Sequence, residues 1–317
     1  MQKSILHITN GSVLTSYLQE LGIKGDTITW QEMLCEGPTT KMIDSDEFYT
    51  MRKHFLVMDY GINIEDYNFK ENLNALNHLE KYSQIILWFE YDLFCHINMC
   101  AAIALLQQKS NTLPVYLVCS GRIPGEKWFK ALTELSEELL LEHYANKVLL
   151  NSKDLELASY AWDIYCGKDH NLFKSLIVKP SSFLYLSNCL KAHLKRFPDS
   201  RNGLSTLEFN ILKRIQETKD IKSTHHLLGY TLSYQGYYGF GDWQIARIIK
   251  RLEVFFDQQD GVLKLNRNGH EALIGTHNFA QEVNDNSTYG GINRLRYQFN
   301  RTENKLIKTV INANTSI

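Results

Sequence analysis

Four short apolar runs, each separated from the next by helical patterns, fill the first 120 residues. They constrain the fold more than any other feature of the chain. Residues 4–8, 27–30, 84–89 and 115–119 read as strands. Residues 84–89 are a continuous apolar run, which suits a strand buried on both faces. Between the first two strands, residues 13–21 carry Val13, Leu14, Tyr17, Leu18 and Leu21 on one side of a helix, stopped by Gly22 and Gly25. Residues 45–58, 64–82 and 93–108 give further helical patterns. Strands alternating with helices predict a parallel sheet of Rossmann-like α/β class. This unit is expected over residues 1–124.

Strand signals fade from Gly125 onward. Residues 128–141, 152–166 and 181–197 read as amphipathic helices, a connector assigned to 125–200. The cluster Pro198-Asp199-Ser200-Arg201-Asn202-Gly203 is the expected domain boundary. Beyond it, Ser205 with Glu208 has capping-box spacing. Helices are expected to about Gln216, over 223–232, and over 243–254, with Asp242 as cap of the third. Asp260-Gly261 between Val254-Phe255-Phe256 and Val262-Leu263-Lys264-Leu265 signals a hairpin. Three helices and a hairpin are the order of a winged helix, assigned to 201–302. Residues 303–317 are expected to be a peripheral tail.

At 317 residues the chain has room for two cores. A net charge of -1 gives no general pull toward nucleic acid or acidic membrane. No apolar run approaches the roughly 20 residues of a membrane helix. The opening apolar stretch is too short for a signal-peptide core. A cytoplasmic protein without a membrane partner is therefore expected, its six scattered cysteines free thiols.

In an open parallel sheet, ligands bind beyond the carboxyl ends of the strands. The polar residues there are His7, Thr9, Asn10 and Ser12; Trp30 and Glu36; Glu90 and Asp92; and Ser120 and Arg122. Thr9-Asn10-Gly11-Ser12 joins a strand to a helix N-terminus, where free amides and the helix dipole favour an anion. It reads as a phosphate or carboxylate cradle, or as a capped turn. Glu90 and Asp92 could divide acid and base work if burial raised one pKa, or hold a divalent metal through oxygen ligands. Asp92 reads equally well as the cap of the following helix. Glu36 is a third carboxylate near the same rim, or a solvated loop residue. A lone strand histidine such as His7 is more often structural than catalytic. Cys95, His96 and Cys100 fit no common zinc spacing, so no metal site is assigned, and the cofactor is left open. The motif Gly236-Tyr237-Tyr238-Gly239-Phe240-Gly241-Asp242-Trp243 reads as a ligand-stacking segment or as a packed turn.

In the C-terminal part, Arg247, Lys250 and Arg251 lie off the apolar stripe of their helix and could meet phosphates in a DNA groove. Residues 201–275 hold 10 basic and 8 acidic residues, a weak excess for a DNA reader. Winged helices also bind proteins or their own chain.

His7-Ile8-Thr9-Asn10-Gly11, Trp30 with Glu36-Gly37-Pro38, Leu87-Trp88-Phe89-Glu90-Tyr91-Asp92-Leu93 and Arg201-Asn202-Gly203-Leu204-Ser205 stand in an order that resembles the bacterial DUF1835 domain-containing proteins. Leu265, Gly269, Leu273 and Gly275, then Gly291-Ile292-Asn293-Arg294, resemble the end of that family's long form. The family is one of unknown function, so the resemblance implies a shared site for these loops but no reaction. Three positions depart from its pattern. Ser12 stands where Asp often follows the glycine. Cys35 stands where His often precedes Glu-Gly-Pro. Cys95-His96 stands where Asp-Gln is common. The expected function is binding of an anionic small molecule, a nucleotide or phosphorylated metabolite, at the strand ends, with transfer or hydrolysis as the candidate reactions. The alternatives are a ligand-sensing regulator that binds DNA or a protein, and a non-catalytic interaction protein.

Overall fold

The computed structural model describes residues 3–63, 65 and 67–309. β1 (Ser4–Asn10), α1 (Ser12–Glu20) and β2 (Asp26–Trp30) open the chain. A two-residue strand β3 (Gly37–Pro38) follows, then α2 (Asp46–Tyr60) and α3 (Phe69–Asn72), which continues as a 3-10 helix over Leu73–Lys81. Next come β4 (Tyr82–Phe89), α4 (Leu93–Gln108), β5 (Val115–Cys119), α5 (Glu137–Ala145) and β6 (Val148–Leu149). All of these strands but β3 form a mixed sheet in the order β2-β1-β4-β5-β6. Its first four strands are parallel, and β6 adds an antiparallel edge.

The pattern of β4 explains the layering. Ile85, Leu87 and Phe89 point to one face and pack with α4, while Ile86 and Trp88 point to the other and pack with Leu14 and Leu18 of α1. Each such side chain contributes about 1.5–3 kcal/mol on burial. α4 has no polar stripe because residues 95–106 have no solvent face: the sheet lies on one side and helices on the other. Those helices are α6 (Ser152–Cys166), followed by α7 (Phe173–Ile177), and α8 (Leu186–Leu194).

The C-terminal part comprises α9 (Thr206–Glu217), α10 (Thr224–Tyr234), α11 (Asp242–Arg251), a hairpin of β7 (Phe256–Gln259) and β8 (Val262–Leu265), α12 (Arg267–Ile274) and α13 (Ala280–Val283). Then come β9 (Thr288–Gly290), β10 (Ile292–Asn293), β11 (Tyr297–Asn300) and β12 (Lys305–Lys308). Ser205 and Glu208 form the expected reciprocal cap of α9. The cap of α11 is Gly241 rather than Asp242, because Gln244 reaches back to the Gly241 amide.

The core does not stop at residue 200. One buried cluster runs from Leu6 to Leu306. β3 pairs with β9, Gly37 lying opposite Tyr289, and the Pro198–Gly203 turn is a largely buried corner rather than a linker. Asp199, Asn202 and Gly203 are held there by bonds to Leu204, Ala272 and Asp199. The expected helix over 128–141 is also divided. Glu134 takes the Ala131 amide and Glu90 takes the Leu132 amide, so a short 3-10 turn replaces its first half. From residue 303, Lys305–Lys308 is a strand with Leu306 buried, bracketed on both sides by Asn171. Residues 310–317 of the expected tail lie outside the described residues. Among those described, all six cysteines are free and no helix is long and apolar enough to cross a membrane.

Candidate functional site

The chain leaves β1 and β4 in opposite directions. β1 leads through α1 to β2 on one flank, and β4 leads through α4 to β5 on the other. In open parallel sheets, ligand crevices form at such a reversal, beyond the carboxyl ends of the central strands. The register pairs Thr9 with Trp88. Gly11 and Glu90 are the first residues past these two strands, each two positions beyond that pair.

The two helix N-termini there differ. Asp92 accepts the Cys95 amide at 2.8 Å, and the Leu93 and Phe94 amides donate to Tyr237 and Tyr238 carbonyls at 2.7 and 3.2 Å. The chain itself therefore fills the end of α4. α1 begins at Gly11, with φ 97, and no side chain caps its first amides. Ser12 and Val13 are exposed. Gly11 has nothing within 4 Å of where a Cβ would sit, so it presents bare backbone.

Asn10 is half-buried beside this end. Its amide nitrogen donates to Cys95 Sγ at 3.1 Å, and its oxygen accepts from Asn98 at 2.8 Å. Thr9 is buried and bonded to Thr15 Oγ1 at 2.6 Å. His7 lies earlier in β1 and is fully engaged. Trp88 Nε1 donates to its Nδ1 at 3.1 Å, so Nε2 carries the proton and donates to Lys24 O at 3.2 Å. Burial holds its pKa below the ordinary value. The expected ligand residues His7 and Thr9 thus serve the sheet's α1 face. Trp30 is buried edge-on against Phe69 at 4.9 Å. Ser120 is buried at the end of β5, and Arg122 lies with its guanidinium 5.3 Å from the Phe129 ring.

Glu90 and Asp92 share the crevice with Cys95, their ligand atoms all within 4.8 Å of one another. Among the described residues neither carboxylate makes an ion pair. Burial, with the charge of Asp92 second, pushes Glu90 up from 4.5 to about 7. Burial pushes Asp92 up from 3.8 to about 6, against the pull of the Cys95 amide. The Cys95 thiol is pushed well up by burial and then by both carboxylates, so it stays protonated. Asp92 is the helix cap and sits under the aromatic segment: a Cβ on Gly239 would come within 2.1 Å of its Cγ. That segment packs down as a turn, with Tyr238 and Phe240 buried. Glu90 is the freer group, half-buried and accepting from the Leu132 amide at 2.9 Å.

Glu36 is not with them. Its carboxylate is taken by the Tyr60 hydroxyl and by Arg247 at 3.5 Å. Its loop is gripped by arginines that the sequence did not flag. Arg52, fully buried, pairs with Glu32 at 2.8 Å and donates to the Glu36 and Pro38 carbonyls at 2.6 and 3.2 Å. Arg196 donates to the Cys35 carbonyl at 2.7 Å. Asn98 ties this loop to Asn10 through Glu32 O at 2.6 Å and the Leu34 amide at 3.2 Å. A lone asparagine in so apolar a helix was the available signal for it.

The three cations proposed for nucleic acid are each paired within the chain. Arg247 also meets Asp59 at 2.9 Å and lies 4.4 Å from the Tyr60 ring. Arg251 meets Asp285 at 3.0 Å, and Lys250 makes an exposed pair with Glu253 at 2.7 Å. With Trp243 stacked on Tyr60 and Gln244 bonded to Cys35 Sγ, α11 docks on the α/β part.

No family model matches the chain, and no curated protein matches it. Among solved structures it is similar to the Plasmodium falciparum topoisomerase II DNA-binding, cleavage and re-ligation domain, with a TM-score of 0.44 and 12% identity. The match covers 81% of this chain and 43% of that one, so the chain spans less than half of that structure.

Proposed function

We propose that the chain binds an anionic small molecule, a nucleotide or phosphorylated metabolite, in the crevice between β1 and β4. The uncapped N-terminus of α1, beside a carboxyl group poised near neutrality, carries this reading. The anion lies on the amides of Ser12, Val13 and Leu14, Gly11 allows close approach, and Asn10 orients it. Glu90, half protonated near pH 7, passes a proton in a transfer or hydrolysis step. In this reading the N-terminal part is a Rossmann-like domain of the DUF1835 kind. Ser12, where that family often carries Asp, leaves the helix end without a resident charge. The C-terminal part is a winged-helix module turned inward, whose Tyr237–Gly239 turn closes the far side of the crevice. The docking of α11 on Glu36, Asp59 and Tyr60 supports that inward role.

A thermal-shift series with inorganic phosphate, AMP, ADP and ATP tests the reading. At least one of these should raise Tm, and Asn10→Ala and Ser12→Asp should each remove the shift. Ser12→Asp should also raise the Tm of the free protein, because its carboxylate complements the helix dipole. A Tm unmoved by every anion would leave an interaction protein as the better reading. Short duplex DNA in the same series should leave Tm unmoved; a shift that falls steeply with added salt would favour the DNA-binding regulator.

A further inference from the structure

Three arginines are almost completely buried: Arg52, Arg196 and Arg294. Two have carboxylate partners. Arg52 holds Glu32 at 2.8 Å, and Arg294 holds Glu208 at 2.6 Å and Asp285 at 3.3 Å. Arg196, 3% exposed, makes no ion pair among the described residues. Its Nη2 donates to Cys35 O, but Nε and Nη1 have no hydrogen-bond partner. The ring of Tyr289 covers its guanidinium at 3.6 Å and that of Phe240 lies at 5.4 Å. Glu36, the carboxylate that acts on it, is already shared by Tyr60 and Arg247.

Further unmatched polar atoms lie in the same interior. The Tyr165 hydroxyl is fully buried without a partner. His170 bonds through Nε2 to Tyr165 O and through Nδ1 to His193 Nε2, both at 2.8 Å. The carbonyl can only accept, so His170 carries its proton on Nε2 and His193 donates from Nε2. His193 Nδ1 is then a buried acceptor, also without a partner. His193 lies 5.3 Å from the Tyr165 ring and 6.2 Å from that of Tyr289, which joins these groups into one cluster with Arg196. A buried guanidinium without a countercharge is costly, and aromatic faces offset only part of that cost.

We propose that Arg196 is the centre of an interior site for a small monoanion, a halide or a carboxylate, bound through Nε and Nη1. The site is separate from the β1–β4 crevice and does not depend on the reading of it. The test uses the full chain, exchanged into buffer whose only anion is methanesulfonate. Bromide or formate is titrated from about 1 to 100 mM at constant ionic strength. Tm should rise by several degrees with the logarithm of one of them, as linkage requires. The bromide arm reads a halide site and the formate arm a carboxylate site. Arg196→Gln should abolish the rise. Should that variant not fold, a bromide-soaked crystal of the parent decides. An anomalous peak within hydrogen-bonding reach of Arg196 Nε or Nη1 is expected, with the formate-soaked crystal as the second arm. A Tm indifferent to both anions, with neither anion seen at Arg196, would overturn the proposal.

Discussion

Glu90→Gln isolates the electrostatic cost of the crevice. In the folded chain the Glu90 carboxyl binds its proton more tightly than in the unfolded chain, because burial moves it from 4.5 to about 7. The folded state is therefore favoured at low pH. Stability falls as pH rises from about 4.5 to about 7, then levels off. A displacement of this size corresponds to about 3 kcal/mol, to be taken as an order of magnitude. Asp92 adds a second fall of the same sign between 3.8 and about 6. Glutamine has nearly the same shape and keeps an oxygen for the Leu132 amide, but it cannot ionise. The variant should match the parent at pH 5 and exceed it by about 2–3 kcal/mol at pH 8. Urea unfolding at both pH values measures this. With a slope of about 3 kcal/mol/M, the midpoint should rise by about 1 M at pH 8. A glutamine variant less stable than the parent at pH 8, or a parent equally stable at both pH values, would refute the reasoning. In the proposed reading, that cost is what keeps an ionisable group in the site.

Other perturbations test the frame around the crevice. Gly239→Ala sets a Cβ against Asp92 at a backbone φ of +67 and should cost at least about 1–2 kcal/mol by denaturation, more if the turn cannot shift. An unchanged midpoint would mean that the turn does not press on Asp92. Arg52→Met leaves the buried Glu32 without a cation, held only by the Tyr67 hydroxyl and the Met33 amide, and about 3–5 kcal/mol should be lost in a urea melt. Little loss at neutral pH would show that the pair is not as dry as its geometry. Arg247→Ala removes the link between α11 and Glu36, Asp59 and Tyr60. It should cost about 1 kcal/mol and speed proteolysis between α10 and α11, whereas an unaltered cleavage rate would place the docking elsewhere.

What could be read in the chain followed from local physics. The four parallel strands, α1, α4, α6 and the α9 cap arise from apolar periodicity and short-range hydrogen bonds, and they lie within two residues of expectation at most ends. Loops beyond successive strands pointed to Asn10, Gly11 and Glu90 because strand ends place them whatever the rest of the chain does. The long-range partners carried no local signal. Nothing near Gly37 announces that it will pair with Tyr289, and nothing in Lys195-Arg196 distinguishes a buried guanidinium from a surface one. The same limit explains Glu36. Its place after β2 put it on the rim, but Tyr60 and Arg247, 24 and 211 positions away, turn it toward α2 and α11. The Glu-Gly-Pro segment is thus a junction: Arg52 of α2 and Arg196 grip its backbone, and Arg247 of α11 fastens the C-terminal part to Glu36. Asn98 carries that junction to Asn10 through two hydrogen bonds to the Glu32–Leu34 backbone and one to the Asn10 side chain. An anion drawn to the end of α1 would therefore meet a side chain whose position depends on how the two parts are fastened.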